Sequence, residues 1–223
     1  MKSYIICLSK IESSLKTATA TKQQLEELGM EAELFEGTYG PDAVRQMERE
    51  GRILHPVGLK GPLDANDPKI NKLMSPGVKG CFYSHFRLWQ KCIELNEPII
   101  IFEDDIMIRR PFLETDWNDI LIVALGHPTK SERFMPQLET PYGDPRALIY
   151  KLASMPGCCG YAIKPHAAKV LVNTYKNSFL PADNAINRNV ETMQIHSHIM
   201  GIAMLKKDGK RSLTKLGAWG EDV

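Results

Sequence analysis

The sequence carries almost no excess charge: 28 Lys and Arg against 27 Asp and Glu leave a formal net charge of +1, which excludes a polycationic arm. Long apolar runs are missing as well. None approaches the roughly 18 residues a membrane span needs. The opening stretch Tyr4-Ile5-Ile6-Cys7-Leu8 is too short for a secretory signal before Ser9 and Lys10 interrupt it. A soluble, cytoplasmic protein is expected. The five cysteines, Cys7, Cys81, Cys92, Cys158 and Cys159, are odd in number and show no C-x-x-C spacing. They are read as reduced core residues, the adjacent pair Cys158-Cys159 included, and a zinc site is not expected. Three phosphate or nucleophile devices are also absent. There is no G-x-x-x-x-G-K-[ST] loop, no G-x-S-x-G elbow, and Ser9-Lys10-Ile11-Glu12 stands where a G-x-G-x-x-G would open the first helix. P-loop NTPase, α/β-hydrolase and dinucleotide-binding readings lose weight accordingly.

What is present is an ordinary globular composition, 43% hydrophobic and 25% charged over 223 residues, which fits one domain spanning residues 1–223. Tyr4 to Leu8 reads as a strand buried on both faces. A helix from Ser13 to Leu28 follows, with Leu15, Ala18, Leu25 and Leu28 at helical spacing and Gly29 just past its end. Ala32 to Phe35 gives a second strand, and Pro41 starts a charged helix that stops near Gly51. Arg52 to Gly77 is rich in Pro, Gly, Asn and Asp and is predicted to be one long loop that closes over a ligand. From Cys81 to Leu95 the residues Cys81, His85, Leu88, Cys92 and Leu95 share a helical face, which Asn96 terminates. Later signals are a strand at Ile120 to Leu125, a polar surface excursion from Gly126 to Pro145 and a strand at Cys158 to Ile163. A helix led by Pro165, a short helix from Ala182 to Val190, one or two strands in Met193 to Leu205 broken near Gly201, and a basic tail from Lys206 complete the chain. Strands alternating with helices predict the α/β class with a mainly parallel sheet flanked by helices.

The strongest strand is Pro98-Ile99-Ile100-Ile101-Phe102, and it runs straight into Glu103-Asp104-Asp105. Ligands in such sheets bind beyond the carboxyl ends of the strands. Consecutive acids there need solvent or a cation to offset their repulsion. In extended chain, alternate residues share a face, so Glu103 and Asp105 are expected together and Asp104 apart. Two carboxylates on one side suit Mg²⁺ or Mn²⁺ with a diphosphate completing the shell; a solvated turn is the competing reading.

Gly80-Cys81-Phe82-Tyr83-Ser84-His85-Phe86-Arg87-Leu88-Trp89, followed by Glu97 to Ile106 with its Glu-Asp-Asp, resembles the central signature of glycosyltransferase family 25, which includes lipooligosaccharide glycosyltransferases and collagen galactosyltransferases. Phe35 to Gly40, Gly160 to Leu171 and Pro181-Ala182-Asp183 are consistent with that resemblance, which covers most of the chain. It implies a GT-A-type, Rossmann-like fold, with a nucleotide-sugar-binding half (1–105) and an acceptor-side half (106–223). It also implies a UDP-sugar donor, Mn²⁺ or Mg²⁺, and an inverting displacement. Metal ligands are then expected at Asp105, Glu103 and a late histidine, His196 ahead of His198. Donor contacts are expected from Ser9, Lys10, Gly80, Ser84, His85 and Asp104. The general base is expected at Asp183, for which a helix N-cap is the structural alternative. Ser9 to Ser14 lack the Asp- and Arg-rich run common in the family.

Two acceptors remain open: a saccharide such as a lipooligosaccharide core, or a hydroxymethylated base in DNA, as with some phage enzymes. The basic run Lys206 to Lys215 is compatible with the second, and the lack of aromatics in Arg52 to Gly77 counts against it. A catalytically decayed nucleotide-sugar-binding module is the reading from another class, opposed by the intact acidic triplet. A metal-dependent nucleotidyl or phosphoryl transferase would leave Gly80 to Trp89 unexplained.

Overall fold

A computed structural model of the chain describes residues 1–58, 61–63, 75–108, 111–112, 116–125, 149–152, 159–186, 193–198 and 203–205. Its frame is a seven-stranded sheet. β1 (Lys2–Cys7) pairs in parallel with β2 (Ala32–Glu36) on one side and with β6 (Ile99–Phe102) on the other. Beyond β6 lie β11 (Gly160–Ile163), β8 (Ile120–Ile122), β13 (Ile195–His198) and the edge strand β10 (Ile149–Leu152). β1, β2, β6, β8 and β13 point the same way; β11 and β10 run against them. This is the mainly parallel α/β sheet that the alternating pattern predicts. The reversal at β11 was not predictable, because periodicity carries no strand direction.

Successive residues of a strand face opposite sides, and the apolar runs therefore feed two cores. On one side Tyr4, Ile99, Ile101, Ile120, Tyr161 and Ile163 pack beneath α2 (Gly40–Glu50), α3 (Pro76–Leu95), α4 (Pro165–Thr174) and the single turn α5 (Ala182–Ala185). On the other, Ile5, Ile100, Phe102, Leu121 and Ala162 pack beneath α1 (Glu12–Glu27) through Ala18 and Leu25. Here too lies a small sheet in which β14 (Ala203–Leu205) stands between β7 (Ile106–Ile108) and β9 (Ala124–Leu125). Gly29 and Gly51, at φ +74° and +62°, terminate α1 and α2 in the left-handed region where a side chain would be strained.

Three expectations are corrected. The segment from Arg52 to Gly77 is not one loop. β3 (Ile53–Leu54) pairs with β12 (Ser178–Phe179), and β4 (Val57–Gly58) pairs with β5 (Gly61–Pro62). Arg52 explains the anchoring. Its guanidinium bonds to Glu50 (2.5 Å) and to the carbonyls of Tyr175 and Ser178, and it lies 4.4 Å from the Phe86 ring centroid. Second, α3 begins at Pro76 rather than near Cys81. Ser75 caps it by accepting the Val78 N–H, and proline is favoured in a first turn that needs no N–H. Third, Ile120 to Leu125 divides between two sheets. Val123 donates to the Gly160 carbonyl, after which the chain crosses to the smaller sheet. A Cβ at Gly160 would come within 2.7 Å of the Ala124 methyl, so that crossing requires glycine. The excursion at 126–145, the remainder of the helix expected to reach Val190, Cys158 and the basic tail lie outside the described residues.

Candidate active site

Because β1, β2 and β6 are parallel, Leu8 to Lys10, Glu36 to Thr38 and Glu103 to Asp105 emerge on one edge of the sheet. A cleft of about 690 Å³ opens beside the first two, lined by Ser9, Lys10, Glu36, Thr38, Asp42 and Arg87 among others. Its walls are tied together. The Ser9 N–H donates to the Glu36 carboxylate (3.2 Å), and Arg87 donates to the Glu36 carbonyl (3.1 Å) and the Thr38 hydroxyl (3.4 Å). Ser9 and Lys10 thus line the cleft.

Gly80 and Ser84 do not line it; they lie under it. The Ser84 hydroxyl accepts the Thr38 N–H and donates to the Gly80 carbonyl, both at 2.8 Å, and is buried. A Cβ at Gly80 would stand 2.6 Å from the Thr38 carbonyl oxygen and 3.1 Å from Gly40. The close approach that needs glycine at Gly80 is therefore to the chain's own backbone rather than to a ligand. Both residues shape the cleft by pressing α3 onto the loop that follows β2.

The end of β6 faces a different environment. Glu103, its N–H bonded to the Cys159 carbonyl at 3.0 Å, turns its carboxylate toward the Cys81 thiol (3.6 Å) and His85 Nε2 (3.7 Å). His85 is fully buried, with Nδ1 2.9 Å from the Tyr161 hydroxyl, which also accepts the Trp89 indole N–H at 2.8 Å. Thiol acidities report where the neighbouring charges lie. Burial, then Glu103 and Asp183, push Cys81 well above its ordinary value. Burial, then Glu103, Asp105 and Asp183, do the same to Cys159. Burial, then Glu36 and Asp104, push Cys7 up to about 11. The fields of Glu103 and Asp105 thus fall together on Cys159, whereas Asp104 acts with Glu36 on Cys7 across the strand. Asp104 and Asp105 stand in a turn between β6 and β7, so the extended-chain alternation expected of them does not apply there.

Asp183 joins the Glu103 side from a distant part of the sequence. It sits in the first turn of α5, whose cap position is Pro181, with no side-chain cap bond. Asp183 is thus the second residue of the turn rather than its N-cap. Of the histidines, His196 is mid-strand, in register with Leu121, and His198 stands at the carboxyl end of β13, one residue beyond the Ser197–Ile122 pair. By backbone position His198 is the nearer of the two to the carboxyl edge of the sheet.

Comparison with known proteins follows this geometry. The profile of glycosyltransferase family 25 (LPS biosynthesis protein) matches residues 1–186. The chain belongs to that family. It is 33% identical over 131 residues to the lipooligosaccharide biosynthesis protein lex-1 of Haemophilus influenzae, a match covering 52% of this chain and 42% of the relative. Against procollagen galactosyltransferase 1-A of Xenopus laevis it is 28% identical over 163 residues, 68% of this chain and 25% of the relative. A mouse relative named inactive glycosyltransferase 25 family member 3 is 29% identical over 89 residues, 38% of this chain and 15% of its own. The chain spans less than half the length of these relatives.

The compact group of possible metal ligands among the described residues is Cys81, His85 and Glu103; Asp105 and Asp183 are hard oxygen donors outside it. Residues missed in the sequence are Thr38, Arg87 and Tyr161, and Cys81 as more than a core thiol. Only the four-residue spacing of Cys81 and His85 on one helical face could have signalled the last. Among the described residues no helix is long and apolar enough to cross a membrane.

Proposed function

We propose that this family 25 chain transfers a sugar from a nucleotide diphosphate sugar, UDP-linked, to a hydroxyl of a saccharide acceptor with inversion. The observation that carries this reading is a polar cleft at the carboxyl edge of the sheet, beside a strand end where Glu103 and Asp183 both act on the buried Cys81 and Cys159 thiols. The cleft takes the nucleotide. Its polar walls suit a base and ribose, Asp104 is assigned to the ribose, and the exposed Lys10 is assigned to phosphate. Mn²⁺ or Mg²⁺, held by Asp105 with Glu103 and a late histidine, would neutralise charge on the departing diphosphate.

Asp183 acts as the base. Its carboxylate takes the proton of the acceptor hydroxyl as that oxygen bonds to the anomeric carbon, and the pair of the breaking carbon–oxygen bond leaves on the diphosphate. The names of the bacterial and collagen-modifying relatives favour a saccharide or glycosylated acceptor. The DNA reading leaned on the basic tail, and no described feature favours it.

The test is thermal stability with a panel of nucleotide diphosphates and UDP-sugars, with and without Mn²⁺. A Mn²⁺-dependent rise with UDP compounds that Asp105→Asn removes is expected. A folded, metal-supplied chain that no nucleotide stabilises overturns the reading and brings the decayed binding module forward.

A further inference from the structure

We propose that Cys81, His85 and Glu103 form a binding site for a thiophilic divalent cation of the Zn²⁺ class. The site is built by two elements. Residues four apart on a helix share a face, so Cys81 and His85 of α3 point together, and Glu103 meets them as the first residue past β6. The ligand atoms of the three residues lie within 4.8 Å of one another. The Cys81 Sγ–Glu103 Oε1 separation is 3.6 Å and His85 Nε2–Glu103 Oε1 is 3.7 Å. Bonds of about 2.3 Å to sulfur and about 2.0–2.2 Å to nitrogen and oxygen at tetrahedral angles need separations of about 3.3–3.6 Å, so only small shifts are required.

His85 supplies the independent observation. It is fully buried, yet its Nε2 has no hydrogen-bond partner among the described residues. Buried ring nitrogens are normally satisfied. On its other side, Nδ1 lies 2.9 Å from the Tyr161 hydroxyl, which the Trp89 N–H holds in place, and the two rings stack with centroids 5.7 Å apart. An outer hydrogen bond of this kind fixes tautomer and orientation in metal-binding histidines. With the proton on Nδ1 and donated to Tyr161, Nε2 presents a lone pair to the space that Cys81 and Glu103 face. The Glu103 side chain is 29% exposed, which leaves a way in and a fourth position for water. On loading, the Cys81 thiol releases its proton to solvent. A thiolate and an imidazole select Zn²⁺ over Mg²⁺ or Mn²⁺, which prefer oxygen ligands.

Titration of the full chain with Co²⁺, read by the sulfur-to-cobalt charge-transfer absorption, tests the site without reference to catalysis. A band that saturates near one equivalent and that Zn²⁺ displaces is expected. Cys81→Ser should abolish the band, Glu103→Gln should weaken Co²⁺ binding at least tenfold, and Cys159→Ser should leave the band intact. No thiolate band in folded protein, or a band that survives in Cys81→Ser, overturns the proposal. Should Cys81→Ser fail to fold, unchanged Co²⁺ affinity in Glu103→Gln overturns it equally. Only one consequence rests on the proposed transferase function: Zn²⁺ should inhibit Mn²⁺-supported transfer by engaging Glu103, and Cys81→Ser should relieve the inhibition. A Cys81-dependent band in a chain that binds no nucleotide would leave the cation site standing and sink the transferase reading; transfer without the band would do the reverse.

Discussion

On the β1–β2 side of the sheet's carboxyl edge, Lys10 and Arg87 stand among Glu36 and Asp42, and the cleft balances its charges from its own walls. On the β6–β11 side, Glu103 and Asp183 act on both the Cys81 and Cys159 thiols, and Asp105 acts on Cys159. The two regions share a sheet edge and meet at the end of β6, where Asp104 and Asp105 stand in a turn. The first is suited to hold a largely neutral ligand by shape and hydrogen bonds. The second favours a cation and a proton acceptor, and chemistry is assigned to it for that reason.

The sharpest way to break this division is to remove the proposed base. Asp183→Asn should lower kcat by ~10²–10⁴-fold, the usual contribution of a positioned base, while leaving the nucleotide-induced thermal shift in place. Loss of that shift as well would mean that Asp183 binds donor, and the two regions would merge into one.

Next in size is the packing beneath the cleft. Gly80→Ala places a methyl 2.6 Å from the Thr38 carbonyl oxygen, and denaturant unfolding should show a loss of about 1–3 kcal/mol, the usual cost of overpacking. Donor KM should rise along with it, because Thr38 lines the cleft. An unchanged midpoint would contradict the close approach of α3 to the Thr38 carbonyl.

A smaller effect is expected at Lys10, which is exposed and flexible. Lys10→Ala should raise donor KM by a few-fold, in keeping with about 1 kcal/mol for a solvent-screened charge, and should leave kcat nearly unchanged. A comparable fall in kcat would assign Lys10 to the reacting side.

The mildest test lies away from both regions, at Glu50. Burial pushes its carboxyl up, but bonds from Arg52, Tyr83 and Gln46 outweigh that and hold it below its ordinary value of 4.5. A carboxylate lowered on folding contributes stability that is present above the unfolded value and is lost as pH falls through the folded one. Glu50→Gln should therefore destabilise the chain at neutral pH and cost less as the medium is acidified below that range. A penalty independent of pH would show that the bond geometry, rather than the charge, is what holds Arg52.

Much of this arrangement was legible in the chain. Tyr4 to Leu8 and Ile99 to Phe102 announce themselves as buried strands because both their faces are apolar, and Gly29, Gly51 and Asn96 mark helix ends by chemistry that only those conformations demand. By contrast, Ser84 looked like a ligand contact because a polar residue beside His85 carries no sign of where its bonds go. Its partners, Thr38 and Gly80, are 46 and 4 residues away. Likewise β3 was hidden in the loop because two residues give no periodicity, and its partner β12 lies far along the chain.

The sequence by itself determined the α/β class, the two-sided core, the place of the acids at a strand end and the family. All of these depend on local periodicity or on short contiguous motifs. Only the tertiary structure decided that β11 runs backwards between β6 and β8, that α5 brings Asp183 to the acids of β6, and that Cys81, a core thiol by its periodicity, faces both Glu103 and the open nitrogen of His85. These are contacts between segments tens of residues apart, set by how helices settle on the sheet. No spacing along one segment encodes the distance between two.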